Sequence, residues 1–186
     1  MPINYCIQCT LPLNFCVCAH APRVLTPKAC SILFHPREVQ RRNSSGRLLR
    51  VCTDVQTNIW HRLKNEQLES KFQHYGLIYP NPDNTTPIVD TPNFKGYLWI
   101  DSTWQESQKM LRQSPWLQNL PKISIDNVNS DYRLRRNQRE GGMSTLESMA
   151  QWLKIQNQPE QAEELLQFFQ LFQNAFLKAR QAGLLK

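Results

Sequence analysis

From Pro27 onwards, short apolar runs alternate with longer amphipathic stretches. The runs ACSILF, GLIY, YLWI and KISI are continuous rather than alternating, which is typical of strands buried on both faces. The stretches NSSGRLLRVC, TWQESQKMLRQ and STLESMAQWLKIQ have the spacing of helices. Strands that alternate with helices predict an α/β fold with a mostly parallel sheet and helices on both faces.

The helix boundaries can be predicted from their capping residues. Ser44 or Ser45 can cap the first helix. Ser144 followed by Glu147 three residues later is a capping box, so a helix begins there. Pro159 predicts the start of the last helix. That helix carries an apolar stripe at helical spacing, which indicates core: Leu165, Phe168, Phe169, Phe172 and Phe176.

The first 22 residues form a separate unit with four cysteines spaced C-x2-C-x6-C-x-C. Two close pairs of thiolates suit a structural, four-coordinate zinc ion that folds a segment too short to fold alone. An iron–sulfur cluster and disulfides remain alternatives. We predict a zinc-binding unit over residues 1–22 and a second domain over residues 23–186. The predicted ligands are Cys6, Cys9, Cys16 and Cys18.

The net charge of +7 lies almost entirely at one end of the 186 residues. Residues 1–50 contain seven Lys or Arg and one acid, whereas residues 51–186 contain fifteen and fourteen. Basic surface of this kind favours nucleic acid as partner, with a solvated face as the simpler interpretation. The start lacks a secretory pattern and no run approaches the ~20 apolar residues of a membrane span. We therefore expect a cytoplasmic protein with reduced thiols.

The arginines form two clusters, and those of the first cluster are interleaved with residues that let a backbone approach phosphate. One is HPREVQRRNSSGRLL and the other is YRLRRNQR. Arginine forks bind phosphate, and Ser and Gly permit close approach. The predicted RNA-binding residues are His35, Arg37, Arg41, Arg42, Arg47, Arg133, Arg135 and Arg136.

Polar residues follow three of the predicted strands. His35 ends the first, Tyr79 and Pro80 end the second, and Asp101 ends the third. Ligands of parallel sheets bind beyond the carboxyl ends of the strands, so these residues are candidates for a binding cleft. Asp101 either points into that cleft or caps the next helix. Trp104 either stacks on a base or packs in the core.

Several common enzyme signatures are absent from the chain. It contains no Walker A loop, no GxGxxG and no HExxH, and we find no defensible order of Ser, His and Asp. An ordinary hydrolase, kinase or dehydrogenase therefore has no support from motifs.

Four ordered motifs resemble those of DTW-domain proteins. IDSTW is similar to their D-x-T-W signature, and it is accompanied by CIQC…CVC, HPREVQRRNSSGRLL and YRLRR…MSTLES over residues 6 to 148. The resemblance implies a SPOUT-like fold with a C-terminal knot. It also implies transfer of the 3-amino-3-carboxypropyl group of S-adenosylmethionine to N3 of a uridine in tRNA, with release of 5′-methylthioadenosine.

The resemblance also implies roles for individual residues. The four N-terminal cysteines would bind zinc, and Asp101 would belong to the active site. The implied cofactor pocket, together with the strand-end residues above, contains Tyr79, Pro80, Asp101, Thr103, Trp104, Ser144, Thr145 and Glu147. The chain departs from the family where Ser102 replaces a frequent Gly and where Ser107 and Ser148 replace the usual Ala.

The residues leave several alternatives open. Asp101 is either the general base for the uridine imide or the group that binds the α-ammonium of S-adenosylmethionine. A non-catalytic, zinc-stabilised RNA-binding module would also explain the cysteines and arginines. A SPOUT-type RNA methyltransferase would use the same fold and co-substrate. A monomer and a homodimer are both compatible with the chain, and the target uridine is not specified.

Overall fold

A computed structural model describes residues 3–62, 66–80, 94–125, 130–134 and 142–185. The chain divides into two compact units, each assembled from separate segments. We call Thr26–Gln40 with Val55–Asp126 the sheet unit, and Met1–Leu25 with Arg41–Asp54 and Asn127–Lys186 the helical unit. The predicted boundary at residue 22 stays a prediction.

The sheet unit contains, in its described residues, one five-stranded parallel sheet with the strand order β2-β1-β4-β3-β5. The strands are β1 (Ala29–Phe34), β2 (Gln56–Ile59), β3 (Tyr75–Ile78), β4 (Gly96–Asp101) and β5 (Lys122–Ile123). This confirms the predicted α/β class with a mostly parallel sheet. A side chain at Gly96 would overlap the carbonyl of Ala29, so glycine permits β4 to lie this close to β1.

Seven α-helices occur in the described residues. They are α1 (Pro36–Gln40), α2 (Ser45–Cys52), α3 (Glu66–Phe72), α4 (Trp104–Arg112), α5 (Pro115–Asn119), α6 (Thr145–Ile155) and α7 (Pro159–Gln181). Two 3-10 turns, Leu13–Phe15 and Cys18–His20, precede them. The capping predictions for α2 and α6 are confirmed, because Ser44 and Ser144 accept hydrogen bonds at the two N-termini.

The core of the sheet unit forms where α3, α4 and α5 cover one face of the sheet. Alternate strand residues Leu33, Leu77 and Leu98 pack there against residues of these helices, including Phe72 and Met110. The intervening residues of β1 and β4 are buried as well. Burial of both faces explains why these strands are continuous apolar runs.

The helical unit is organised by α6 and α7. Asn157 has a left-handed backbone (φ 59°) just beyond α6, and the chain then turns into α7. Asparagine tolerates this conformation better than most residues. The aromatic stripe of α7, from Phe168 to Phe176, is buried as predicted. The phenol of Tyr5 donates a hydrogen bond to the carbonyl of Leu184 (3.0 Å), which ties the N-terminal segment to the end of the chain.

Some elements gave no clear signal in the sequence. The strand β2 reads QTNI and lies at the edge of the sheet, mostly exposed, so it lacks an apolar run. The helices α1, α3 and α5 are five to seven residues long, too short for a periodic pattern. Within the described ranges, no helix has the length and apolar character needed to cross a lipid bilayer.

Candidate active site

The centre of the sheet unit has the connectivity of a binding crevice. The chain leaves β1 towards β2 on one side, whereas it leaves β4 towards β5 on the other. The neighbouring carboxyl ends of β1 and β4 therefore form a topological switch point, where parallel sheets bind ligands. His35 follows β1 and Asp101 ends β4, so both predicted site residues lie at this position.

Asp101 is buried, with 1 % of its surface exposed. It pairs with Phe34 across the β1–β4 register, and its carbonyl accepts a hydrogen bond from the backbone N–H of His35 (3.0 Å). A carboxylate buried at a strand end is shielded from bulk water, so its interactions with charged groups are strong.

Thr103, not Asp101, caps the helix that follows β4. The Thr103 hydroxyl accepts a hydrogen bond from the backbone N–H of Glu106 (3.3 Å), and the Glu106 carboxylate accepts from the backbone N–H of Thr103 (3.0 Å). This is a second capping box, with the T-x-x-E spacing that is typical of a helix start. The interpretation of Asp101 as a mere helix cap is therefore excluded.

Tyr79 and Trp104 form an aromatic stack at the same edge of the sheet. Their ring centroids lie 5.4 Å apart with planes 16° from parallel. Tyr79 is the buried member, and Trp104 keeps 36 % of its surface exposed, so it is not a core residue. The Tyr79 hydroxyl meets the hydroxyl of Ser107 at 3.1 Å, and Ser107 donates to the carbonyl of Trp104 (2.8 Å). Pro80 follows Tyr79 and is exposed.

His35 lies within a group of polar and aromatic side chains. Its Nδ1 lies 3.6 Å from the Oε1 atom of Glu106, and the same carboxylate oxygen lies 3.8 Å from Nη1 of Arg37. The imidazole stacks on Trp60, with centroids 5.9 Å apart. Neither Glu106 nor Trp60 was predicted as a site residue, because each lies far from His35 in the sequence.

Three predicted cofactor residues lie in the helical unit, at the start of α6. Both oxygens of the Glu147 carboxylate accept hydrogen bonds from the Ser130 hydroxyl (2.9 and 2.8 Å). They also accept from the backbone N–H groups of Asp131 and Ser144 (2.8 Å each). The N–H of Thr145 donates to the Ser45 hydroxyl (3.1 Å). Glu147 thus holds residues 130–131 against the N-terminus of α6.

The segment Ser130–Leu134 makes hydrogen bonds along its length to other parts of the helical unit. The Tyr132 hydroxyl donates to the carbonyl of Asn43 (2.6 Å), and the Asn43 amide donates to the carbonyl of Leu134 (3.0 Å). The buried side chain of Gln173 accepts from the N–H of Arg133 (2.7 Å). Glu147 and Gln173 also line a cavity of about 220 Å³. No local sequence pattern indicated that Gln173 and Asn43 fix this segment.

The predicted RNA-binding arginines differ in exposure. Arg37 is 78 % exposed, and Arg133 is exposed with its guanidinium donating to the side chain of Asn174 (2.8 Å). Arg41 and Arg47 are half-buried. Arg42 is exposed but engaged, because it covers the Tyr5 ring and donates to the carbonyl of Thr10 (3.4 Å). Arg135 and Arg136 lie outside the described residues.

The four N-terminal cysteines converge as predicted. Their sulfur atoms lie within 4.8 Å of one another, and the pairs Cys6–Cys18 and Cys9–Cys16 are each 3.7 Å apart. A tetrahedral ion with Zn–S bonds of about 2.3 Å needs sulfur atoms about 3.8 Å apart, so the cluster fits a single metal ion. The thiols are free, which excludes disulfides in this structure. An iron–sulfur cluster fits less well, since its thiolates bind separate irons and would lie farther apart.

Backbone groups tune the cysteine thiols. Burial raises the pKa of Cys6, but hydrogen bonds from the backbone of Cys9 and Gln8 outweigh it and lower the pKa to about 7. Burial raises the pKa of Cys9 and of Cys18. A thiol that ionises readily beside three others is suited to binding a cation.

A comparison with known protein families identifies the family of this chain. The family model of the DTW domain matches residues 3–177. The chain belongs to the DTW domain family. The DTW match includes the cysteine cluster, the sheet and most of α7, so it covers both units.

A curated relative carries an activity in its name. The DTW-domain chain is 28% identical over 181 residues to "tRNA-uridine aminocarboxypropyltransferase 2" of Drosophila melanogaster, covering 88% of this chain and 71% of the relative. No solved structure gives a significant match to the chain.

Proposed function

We propose that this protein transfers the 3-amino-3-carboxypropyl group of S-adenosylmethionine to N3 of a uridine in tRNA. The products are 3-(3-amino-3-carboxypropyl)uridine and 5′-methylthioadenosine. The observation that carries the proposal is the DTW match over residues 3–177, together with the relative named for this transfer. The polar residues at the β1–β4 switch point supply a suitable site.

In the sheet unit, we assign a role based on charge to Asp101 and a role based on stacking to Trp104. The sulfonium of S-adenosylmethionine makes its attached carbons electrophilic, and the site must present Cγ in line with N3 rather than the methyl carbon. This is a problem of positioning, which can supply much of the rate enhancement. Buried Asp101 is suited to binding the α-ammonium group of the co-substrate, or to accepting the N3 proton.

Trp104 keeps 36 % of its surface exposed, and we propose that the indole stacks on a nucleobase or on adenine. The indole stacks on the Tyr79 ring, and the Tyr79 hydroxyl contacts the Ser107 hydroxyl. These contacts fix the position of the indole. Stacking on a fixed aromatic ring contributes ~1–3 kcal/mol per base. Tyr79, Pro80 and Thr103 then shape this part of the pocket. A role for Ser144, Thr145 and Glu147 in binding the co-substrate stays a prediction from the resemblance.

The basic residues are proposed to position the tRNA. Arg37 and Arg133 have exposed guanidinium groups, and Arg41 and Arg47 lie in the same basic motif as Arg37. Contacts with phosphate fix the register of an RNA without reading its sequence, and the affinity falls steeply with salt. His35, Arg42, Arg135 and Arg136 complete the predicted set.

We propose that the cysteine cluster holds a structural zinc ion. Four protein ligands leave no open position, so the ion would stabilise the fold of residues 1–22 rather than take part in the transfer. The SPOUT-like knot, helices on the second face of the sheet and a domain boundary near residue 22 belong to the same proposal. Reduced thiols suit the cytoplasm, which we propose as the location.

The deciding experiment uses S-adenosylmethionine labelled separately in its carboxyl group and in its methyl group. The protein is incubated with each form and with unmodified tRNA. Carboxyl label in the RNA with release of 5′-methylthioadenosine is the expected result. Methyl label in the RNA would make the protein a methyltransferase. Label from neither form, despite tight tRNA binding, would make it an RNA-binding module.

A further inference from the structure

We propose that His35, oriented by Glu106, accepts the N3 proton of the uridine, and this inference rests on the proposed function. The His35 imidazole and the Glu106 carboxylate lie 3.6 Å apart at the switch point between β1 and β4. Asp101 is then left to bind the co-substrate. From the sequence alone, His35 was predicted to bind RNA, with acid–base chemistry and a structural role as alternatives for a lone histidine at a strand end.

The main chain places the imidazole beside the predicted reaction centre. The backbone N–H of His35 donates to the carbonyl of Asp101, so the two residues leave adjacent strands side by side. The His35 side chain is 13% exposed and that of Glu106 is 12% exposed. Both groups are therefore largely shielded from water, yet His35 keeps an accessible portion.

The surroundings of the imidazole resemble those of an oriented base. The capping box fixes Glu106, because its second oxygen accepts from both the N–H and the hydroxyl of Thr103 (3.0 and 2.8 Å). Trp60 from the segment after β2 covers a ring face, and the Arg37 guanidinium of α1 lies across the carboxylate. Glu106, Arg37 and the neighbouring Asp101 are charged groups of the sheet unit that lie near His35.

Two groups lie close to Nδ1 of the imidazole. The Arg37 backbone N–H donates a hydrogen bond to it (3.3 Å). The Glu106 carboxylate lies 3.6 Å away, within ion-pair distance of a protonated imidazole. Glu106 therefore stabilises the imidazolium that forms when His35 accepts a proton.

The chemistry favours imidazole over a carboxylate for this step. A uridine imide is a weak acid, and a base is most effective when its pKa lies near the working pH. An ordinary imidazole has a pKa of about 6.5, whereas an ordinary aspartate has a pKa of about 3.9. The N3 proton passes to the imidazole nitrogen that holds the lone pair, and the N3 electron pair forms the bond to Cγ. The Cγ–S bond breaks, its electron pair stays on sulfur, and the imidazolium later releases its proton to water.

The test compares His35→Asn, His35→Ala and Glu106→Gln with the control His74→Asn, an exposed histidine of the same unit. His35→Asn retains a polar atom near the Nδ1 position, so it preserves the local hydrogen bond. Single-turnover transfer of carboxyl label is measured against pH, and tRNA binding and thermal unfolding verify that each variant is folded. The wild-type rate should rise with pH and level off as the imidazole loses its proton.

Specific outcomes distinguish the His35 proposal from the proposed function. We expect a 10²–10⁴-fold lower rate at neutral pH in both His35 variants, a rate that keeps rising at high pH, and partial recovery of His35→Ala by added imidazole. Glu106→Gln should lower the rate less. Folded His35 variants that keep the wild-type rate and pH profile would overturn the role of His35 alone. A wild-type protein that transfers no carboxyl label would overturn the proposed function and this inference with it.

Discussion

The Arg42 guanidinium lies 3.7 Å from the centroid of the Tyr5 ring, and this contact joins the cysteine segment to the start of α2. The same arginine exchanges hydrogen bonds with Thr10: its guanidinium donates to the Thr10 carbonyl (3.4 Å), and the Thr10 hydroxyl donates to the Arg42 carbonyl (3.2 Å). Thr10 has a left-handed backbone (φ 62°), which is unfavourable for a β-branched residue. The exchange with Arg42 holds it there.

Replacing Arg42 should therefore loosen the cysteine segment. We expect Arg42→Ala to lower the free energy of unfolding by about 1–2 kcal/mol, since a cation–π contact and a hydrogen bond are lost. Arg42→Lys should recover only part of this, because lysine lacks the flat guanidinium. Denaturant unfolding measures the effect, and Arg50→Ala at an exposed site of α2 is the control. An Arg42→Ala protein as stable as the control would show that the contact is unimportant.

The cysteine cluster should bind one metal ion per chain. We expect Cys9→Ser to lose most of the metal, because it removes one of four converging thiolates, whereas Cys52→Ala should retain it. Elemental analysis of the purified proteins gives the identity and amount. A chelator should unfold the N-terminal segment of the wild-type protein. Iron in place of zinc, or full metal in Cys9→Ser, would contradict the prediction.

Asp101 should be required for transfer but not for tRNA binding. Asp101→Asn keeps the size of the buried side chain and removes its charge. We expect at least a 100-fold lower rate of transfer and a Kd for tRNA within about threefold of wild type. Asp54→Asn, at an exposed position of the helical unit, is the matched control. A normal rate in Asp101→Asn would remove this residue from the reaction.

Trp104 should contribute through its flat face. Trp104→Ala should weaken binding of tRNA or of S-adenosylmethionine by ~1–3 kcal/mol, whereas Trp104→Phe should retain most of the affinity. Titration of each ligand separately shows which of them stacks on the indole. Tyr79→Phe should have a smaller effect, because it keeps the ring below Trp104 and loses only the contact with Ser107. Equal affinity of Trp104→Ala and wild type for both ligands would exclude the stacking role.

Glu147 and Ser130 should be energetically coupled. Both oxygens of Glu147 accept from the Ser130 hydroxyl, so each single substitution removes the same interaction. We expect Glu147→Gln to lower the free energy of unfolding by about 1–3 kcal/mol. A double-mutant cycle with Ser130→Ala should give a coupling energy of at least about 0.5 kcal/mol. Glu164→Gln, an exposed site of α7, serves as control, and purely additive effects would contradict the coupling.

Local sequence patterns were sufficient to predict several helices and strands of this chain. The apolar runs identified β1, β3 and β4 because these strands are buried, and Ser144 with Glu147 identified the start of α6 because a capping box involves only neighbouring residues. Cysteine spacing likewise predicted convergence, since tight turns bring close pairs together. An exposed edge strand such as β2 has no such pattern.

Only the tertiary structure determined which distant residues meet. The strand order places β4 beside β1, and so it brings His35 next to Asp101 and within reach of Glu106. It also decided that Arg42 covers Tyr5 and that Gln173 binds Arg133. Hydrophobic periodicity specifies which face of an element is buried but not its neighbour in space. That choice depends on how complete elements pack, so the sequence suggested candidate site residues, whereas the fold determined which side chains lie beside them.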